Sequence, residues 1–349
     1  MLLEILRTFA WFGLIAFGGP AVHIALFQKF LVGEGKWVSR TEFMQMLALA
    51  NLIPGPNSTE TAMLLGHARG GMRGLVLAGI GFITPAALVT LGLVALYREF
   101  AHSPIVQGAF LGLRLAVMAL VAQALMALLP DPRKESLTWM LAAFGLILAA
   151  LGLPERSVVL LAGLVLTVGH SRHLLVLEPL SLFWFFLLVG STLFGSGYVL
   201  VGLLGDMVRR GWLSSDQLLN AVSLGQFTPG PFLTTATAAG YLAAGVPGTI
   251  LATLGIFLPS FILTALVARL VLRSRGNAAL DSFLQGAAGA ALGLMAWALW
   301  LLGKDTLSGI VELLLTLLAL VLLQRKLPAL VVLGIFALSG TLRAIIKFT

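Results

Sequence analysis

Residues 17–85 return in altered form at 194–259, and this internal repeat limits what the chain can fold into. Phe17-Gly18-Gly19-Pro20 answers to Phe194-Gly195-Ser196-Gly197, and Trp37-Val38-Ser39 to Trp212-Leu213-Ser214. The string from Asn51 to Thr59, with Pro54-Gly55-Pro56 at its centre, answers to Gln226–Thr234, with Pro229-Gly230-Pro231, at an offset of 175. The later pairs Pro85/Pro259, Gly112/Gly286 and Leu153-Pro154/Leu327-Pro328 hold an offset of 174. That spacing is half of the 349 residues, which predicts two copies of one unit, 1–174 and 175–349.

Composition names the solvent. With 59% hydrophobic residues, 10% charged and a mean hydropathy of +1.02, polar side chains are too few to cover a soluble globule of this size. Apolar runs of about 20 residues, enough to cross a hydrocarbon core of about 30 Å, recur along the whole chain, so a cleaved signal peptide does not account for them. Zero cysteines exclude a disulfide framework and thiolate metal sites. The net charge of +8 sits mostly in short connections, where it reads as topology signal and attraction to anionic membrane lipids, with no nucleic-acid partner implied.

Each copy shows the same order of elements. A long apolar segment is interrupted near its middle, at Phe17–Pro20 and at Phe194–Gly197. Two short helical stretches follow, about 40–53 and 57–68, then about 215–228 and 232–244, divided by the Pro-Gly-Pro triplets. Neither stretch is long enough to span, so each pair reads as a re-entrant hairpin, which membranes tolerate only where the turn is buried in protein or lines a wet cavity. Four further spans complete each copy, 72–97, 104–129, 136–152 and 156–170 against 247–272, 279–302, 307–323 and 328–345. The prediction is an all-α polytopic membrane protein of two inverted repeats, each about five transmembrane helices plus a re-entrant helical hairpin; the odd count turns the second copy upside down, as in many secondary transporters.

The triplets are where chemistry is expected. Proline ends one half-helix, glycine takes dihedrals that other residues avoid, and the second proline suits the start of the next helix. That start leaves backbone N–H groups pointing into the tip with the positive end of a helix dipole behind them, a ready site for an oxyanion. Asn57, Ser58 and Thr59 in the first copy, and Thr234, Thr235 and Thr237 in the second, add amide and hydroxyl donors, with Asn51 and Gln226 preceding the triplets. The alternative is that each triplet only kinks a helix while the hydroxyls bond back to it.

Phe17–Gln28, Asn51–Glu60, Phe194–Leu200, Gln226–Tyr241 and Gly255–Phe261 resemble the paired signatures of the chromate ion transporter family, in order and over both halves. The resemblance implies a two-domain (long-chain) membrane carrier of the prokaryotic plasma membrane that exports chromate, driven by the proton gradient or by exchange with a counter-ion. Ser196 and Gly197 stand where a more glycine-rich stretch is usual, and Asn51 where some relatives have glutamine. Chromate, sulfate or another tetrahedral oxyanion stays open as cargo, as does a homodimer as the assembly.

Ionisable residues inside apolar segments are the next candidates, because burying them is expensive. Arg114, with Ala288 as its repeat mate, offers a fixed guanidinium that grips a dianion through parallel hydrogen bonds; the plainer reading has it snorkel or neutralise Glu60. Glu60 and His23 are the candidates for carrying a coupling proton. Against this, Glu60 falls at the third helical position of a capping box if Asn57 is the N-cap, and a lone histidine in an apolar helix, as His23 is, is more often a hydrogen-bonded core residue. Arginines at the connections, Arg69 and Arg73 among them, read as topology anchors or as a funnel for a dianion.

No His/Asp/Glu cluster suggests a metal, a cofactor or catalysis, which argues against a membrane enzyme acting on lipid or quinone. A passive oxyanion channel built on the same hairpins is the remaining rival.

Overall fold

The computed structural model describes residues 1–16, 20–33, 36–50, 53–128, 136–150, 178–193, 199–270, 296–297, 299–300, 303–304, 306–307 and 309–348. Among these, twelve α-helices and one short 3-10 helix have defined bounds, described residues between 296 and 306 are also helical, and no strand longer than an isolated bridge between Val32 and Val38 occurs. The first copy contributes α1 (Leu2–Ile15), α2 (Pro20–Leu31), α3 (Arg40–Ala50), α4 (Asn57–Phe100), α5 (Pro104–Leu128) and α6 (Ser136–Ala150). The second contributes α7 (Glu178–Thr192), α8 (Val199–Arg209), α9 (Ser215–Phe227), the 3-10 turn Phe232–Thr234, α10 (Thr235–Leu270), α11 (Ile310–Gln324) and α12 (Ala329–Phe348). The expected span at 156–170 lies outside the described residues, as does nearly all of the one at 279–302.

This is an all-α membrane protein. Four described helices are long and apolar enough to cross a bilayer: α4, α5, the run Phe232–Ala268 and α12. Their outward faces carry Leu88, Leu96, Leu254, Ile262, Leu266 and Leu338, each at least 40% exposed. In water such a surface would aggregate, and in lipid it is the expected one.

The broken first segment of each copy is present as two helices. α1 ends at Ile15 and α2 begins at Pro20; α7 ends at Thr192 and α8 begins at Val199, while the breaks at 17–19 and 194–198 lie outside the described residues. Both hairpins then open on a true capping box. Ser39 N donates to Glu42 Oε2 at 2.7 Å while Glu42 N donates to Ser39 Oγ at 3.2 Å, and Ser214 with Gln217 repeats the pattern at 2.8 and 3.1 Å. Each pair satisfies N–H groups that a helix start leaves open.

α4 and α10 are each two limbs folded back on one another. α4 turns at Gly70 (φ −142°, ψ 20°) and Gly71 (φ 61°, ψ −153°), and α10 at Ala244 (φ −146°, ψ 24°) and Gly245 (φ 63°, ψ −149°). A methyl placed on Gly66 would overlap the Gly74 carbonyl and the Ala78 side chain across the turn, and one on Gly240 would overlap Gly248 and come 2.6 Å from Ala252 Cβ. The expected half-helices 57–68 and 232–244 are thus the first limbs, and the expected spans the second.

The second limbs pack on the first helix of their own copy, α4 on α1 and α10 on α7, and the two long helices pack on each other. Gly13 lies against the Phe82 carbonyl in one copy as Gly190 lies against that of Ile256 in the other, backbone to backbone as small residues permit in membranes. Around α1, Phe9, Phe12, Phe27 and Phe82 stack edge to face at 5.1–5.9 Å.

Candidate functional site

At the first hairpin tip, Gly55 adopts φ +140°, which a residue with a side chain resists, and Pro56 stands at the N-cap of α4. The Gly55 N–H does not stay in its own repeat. It donates to the carbonyl of Leu193, just past the end of α7 in the other copy, at 2.7 Å. At the second tip Gly230 (φ +87°) does the converse, its N–H donating to the carbonyl of Ala16, just past the end of α1, at 2.9 Å. Each tip is therefore seated on the helix break of the opposite repeat. The exchange extends to side chains, because a methyl on Gly55 would press on Ser260 Oγ of α10 and one on Gly230 on Ala86 Cβ of α4, and Ala86 and Ser260 are repeat mates.

Pro56 and Pro231 occupy the N-cap positions of α4 and of the 3-10 turn and make no side-chain cap bond. Around the first start, Gly55, Pro56, Ser58, Thr59 and Glu60 are buried while Pro54 and Asn57 are partly so; around the second, Pro229, Gly230, Pro231, Thr234 and Thr235 are buried and Gln226 is partly so. Thr59 Oγ1 and Thr235 Oγ1 have no hydrogen-bond partner. Thr234 Oγ1 instead donates to the Pro231 carbonyl at 3.0 Å, and Thr237 pairs with Thr253 at 2.9 Å, so these two hydroxyls follow the self-satisfying alternative. Asn51 lies outside the described residues.

Glu60 sits in the first tip with no exposure to solvent. Its carboxylate would overlap a methyl on Gly55, and Ser260 Oγ is a hydroxyl neighbour, although the two do not meet in hydrogen-bonding geometry. The capping-box alternative does not hold, for a physical reason. Pro56 is the N-cap, it has no N–H for a side chain to reach back to, and Thr59 takes the third helical position.

His23, also fully buried, belongs to the other tip. Its Nε2 donates to the Ala16 carbonyl at 3.1 Å, the same oxygen that receives Gly230, while Nδ1 has no partner and the ring lies edge-on to Phe82. Both titratable candidates thus stand at hairpin tips, one at each.

Arg114 engages the arm leading into the second tip. Its Nε donates to Asn220 Oδ1 at 2.8 Å and its terminal nitrogen meets Asp216 Oδ1 at 2.7 Å, both on α9; Asn220 Nδ2 in turn donates to Tyr97 OH at 2.5 Å. The expected alternative of neutralising Glu60 gives way to this pairing with Asp216. Arg69, read as an anchor or funnel, meets Glu4 at 3.4 Å and lies over the Trp37 ring.

A chain of two repeats with crossed hairpin tips calls for comparison with known membrane families. The model of the family described as "Chromate transporter" matches twice, at residues 3–168 and 180–341. The chain belongs to that family. Among its relatives are the "Probable chromate transport protein" of Synechococcus elongatus, 30% identical over 97% of this chain and 95% of that one, and the "Chromate transport protein" of Pseudomonas aeruginosa, 30% identical over 84% and 79%. That of Cupriavidus metallidurans is 29% identical over 92% and 88%. No solved structure matches. Family members are transporters rather than enzymes, and this chain is an integral membrane transporter.

Sequence reasoning missed the residues that the crossing brings in: the carbonyls of Ala16 and Leu193, Ser260, and the Thr90–Thr228 pair, whose hydroxyls meet at 3.1 Å between α4 and the C-cap of α9. A signal existed for Ser260, which follows Pro259 at the 174 offset from Ala86. No sequence signal said that the partners would be exchanged between copies.

Proposed function

We propose that the chain is a secondary active transporter that exports chromate, or the similar dianion sulfate, across the plasma membrane, with the oxyanion held between the two Pro-Gly-Pro tips of repeats 1–174 and 175–349. The observation that carries this reading is the reciprocal seating of Gly55 on Leu193 and Gly230 on Ala16. Two helix starts that meet the opposite repeat turn their positive dipole ends toward an anion held between them, and any rocking of one repeat against the other acts directly on them. Thr59 and Thr235, whose hydroxyls are buried and unpartnered, are the side-chain donors of first choice, with Asn57, Ser58 and Thr234 beside them and Asn51 and Gln226 on the incoming arms.

A dianion needs more than neutral donors. Arg114 is assigned the fixed positive charge, a role in which the anion must take the place of Asp216, its partner at 2.7 Å. Glu60 carries the coupling proton, with His23 next in line: a carboxylate beside the anion must be neutralised before the dianion can bind, which ties the two events together. A dianion moving with one proton carries a net charge of −1, so an inside-negative potential favours its exit by about 2.3 kcal/mol per 100 mV.

Purified protein in proteoliposomes tests the reading through chromate flux with sulfate as competitor and with pH gradients and potentials imposed separately. Saturable flux that sulfate inhibits and that responds to both forces is expected; linear, non-saturating flux insensitive to the pH gradient would mean a channel.

A further inference from the structure

We propose that the first tip also holds a sodium ion, bound by Glu60, Ser260, Thr264 and the carbonyl of Leu193, in exchange with the coupling proton. The inference rests on the reading of the chain as an ion-coupled carrier.

Buried hydroxyls on the helices of this protein mostly satisfy themselves on the carbonyl four residues back. Thr61 does so on Asn57 at 2.6 Å, Thr90 on Ala86 at 2.9 Å, Ser223 on Leu219 at 2.7 Å and Thr228 on Leu224 at 2.8 Å. Ser260 and Thr264 break this habit. They lie one turn apart on one face of α10, both fully buried, and neither hydroxyl has a partner. The repeat explains Thr264 in part. Its mate Thr90 bonds to Thr228, and the mate of Thr228 is Ile53, so the first tip lacks the hydroxyl that closes the second.

The groups that the Gly55 turn brings to Ser260 are also oxygens. Both oxygens of the Glu60 carboxylate are buried without partners. Gly55 brings the Glu60 carboxylate and Ser260 Oγ to one spot, since a methyl there would overlap the first and lie 2.5 Å from the second. Gly55 also binds the Leu193 carbonyl, which keeps a second lone pair. That carbonyl follows the last residue of α7, at the negative end of a half-helix, the element that coordinates small cations in transporters with broken helices. Among the described residues no cationic side chain forms an ion pair with Glu60.

A proton on Glu60 can be shared with Ser260 but engages neither the free lone pair of the Leu193 carbonyl nor Thr264. A hard, small cation takes oxygen ligands of all three kinds at once and neutralises the buried charge. The second tip differs: Thr235 stands for Glu60 and Ala86 for Ser260, and among the described residues the atoms nearest a methyl on Gly230 are Ala86 Cβ and the Gly13 backbone.

The test is thermal unfolding of the purified full-length protein in detergent, with sodium chloride against choline chloride, alongside chromate flux and counterflow in proteoliposomes prepared in the two salts. Sodium is expected to raise the melting temperature and stimulate flux, and Glu60→Gln to remove both responses. Ser260→Ala should raise the half-saturating sodium concentration about tenfold, as fits one lost oxygen ligand to a charge, and Thr264→Ala by less. Identical melting and flux in the two salts would overturn the sodium site; chromate counterflow persisting in those same liposomes would then leave the carrier reading standing with Glu60 as a proton site only. A sodium response undiminished in both Glu60→Gln and Ser260→Ala would also overturn it. Loss of counterflow in the native protein under both salts would instead count against the carrier reading itself.

Discussion

The two hairpin tips share a backbone and differ in chemistry. Both turn on a positive-φ glycine between prolines, both start a half-helix without a side-chain cap, and both lend their glycine N–H to a carbonyl of the other repeat. The second tip pairs Thr228 with Thr90 of α4 and Thr234 with the Pro231 carbonyl, and leaves Thr235 Oγ1 and His23 Nδ1 without partners. The first keeps a buried carboxylate and, with Ser260, a set of unsatisfied oxygens. The two tips thus share a backbone and diverge at Glu60/Thr235, Ala86/Ser260 and Ile53/Thr228, which puts the carboxylate at the first tip.

The largest expected effect is on the shared part. Valine at Gly55 meets Glu60 and Ser260 and is held at φ +140°; valine at Gly230 meets Ala86 and the Gly13 carbonyl at φ +87°. Both substitutions should abolish chromate flux in proteoliposomes while the protein still inserts and remains monodisperse in detergent. Native flux from either variant would break the equivalence of the tips.

Next in size is the divergent part. Glu60→Gln should leave chromate binding nearly intact but make flux indifferent to an imposed pH gradient, whereas Thr235→Glu, which copies the carboxylate into the second tip, should depress binding. Should Glu60→Gln remain fully proton-driven, the coupling group lies elsewhere, and His23, at the opposite tip, is tested in the same assay.

Arg114→Gln should raise the apparent KM for chromate steeply. Because Arg114 also ties α5 to α9 through Asp216, the control is Asp216→Asn, which removes the bridge and keeps the arginine's charge. Equal KM changes in the two variants would reduce Arg114 to a structural tie.

Much of this was legible in the sequence. The repeat, the breaks and the hairpins followed from apolar runs and Pro-Gly-Pro spacing, because proline and glycine act locally on the chain. The reversals at Gly70–Gly71 and Ala244–Gly245 sat between the expected half-helices and spans, so those boundaries held. The crossing of tips between repeats was not legible, since a hydrogen bond from Gly55 to Leu193 joins residues far apart with no side-chain signature. For the same reason Arg114 could be matched to Glu60 or to nothing, when its partners are Asp216 and Asn220 in the other copy. The capping box assigned to Glu60 failed on one residue: with Pro56 at the N-cap there is no N–H to cap.

The smallest effects concern the hydroxyls and rank by whether they are already spent. Thr59→Ala and Thr235→Ala each remove an unpartnered buried hydroxyl and should weaken chromate binding by roughly 1 kcal/mol, about fivefold in Kd. Thr234→Ala removes a hydroxyl already bonded to Pro231 and should cost less. Equal changes across the three, read by isothermal titration with chromate, would mean that the hydroxyls act through the helix starts and do not touch the anion.

Counterflow tests the central claim, one alternating oxyanion site shared by both tips, most directly. Proteoliposomes loaded with unlabelled chromate and diluted into labelled chromate should show a transient overshoot of label inside. Glu60→Gln should retain it, since exchange needs no net coupling, and Gly55→Val and Gly230→Val should both lose it. A native protein without overshoot, or an overshoot that survives either glycine substitution, would contradict the account.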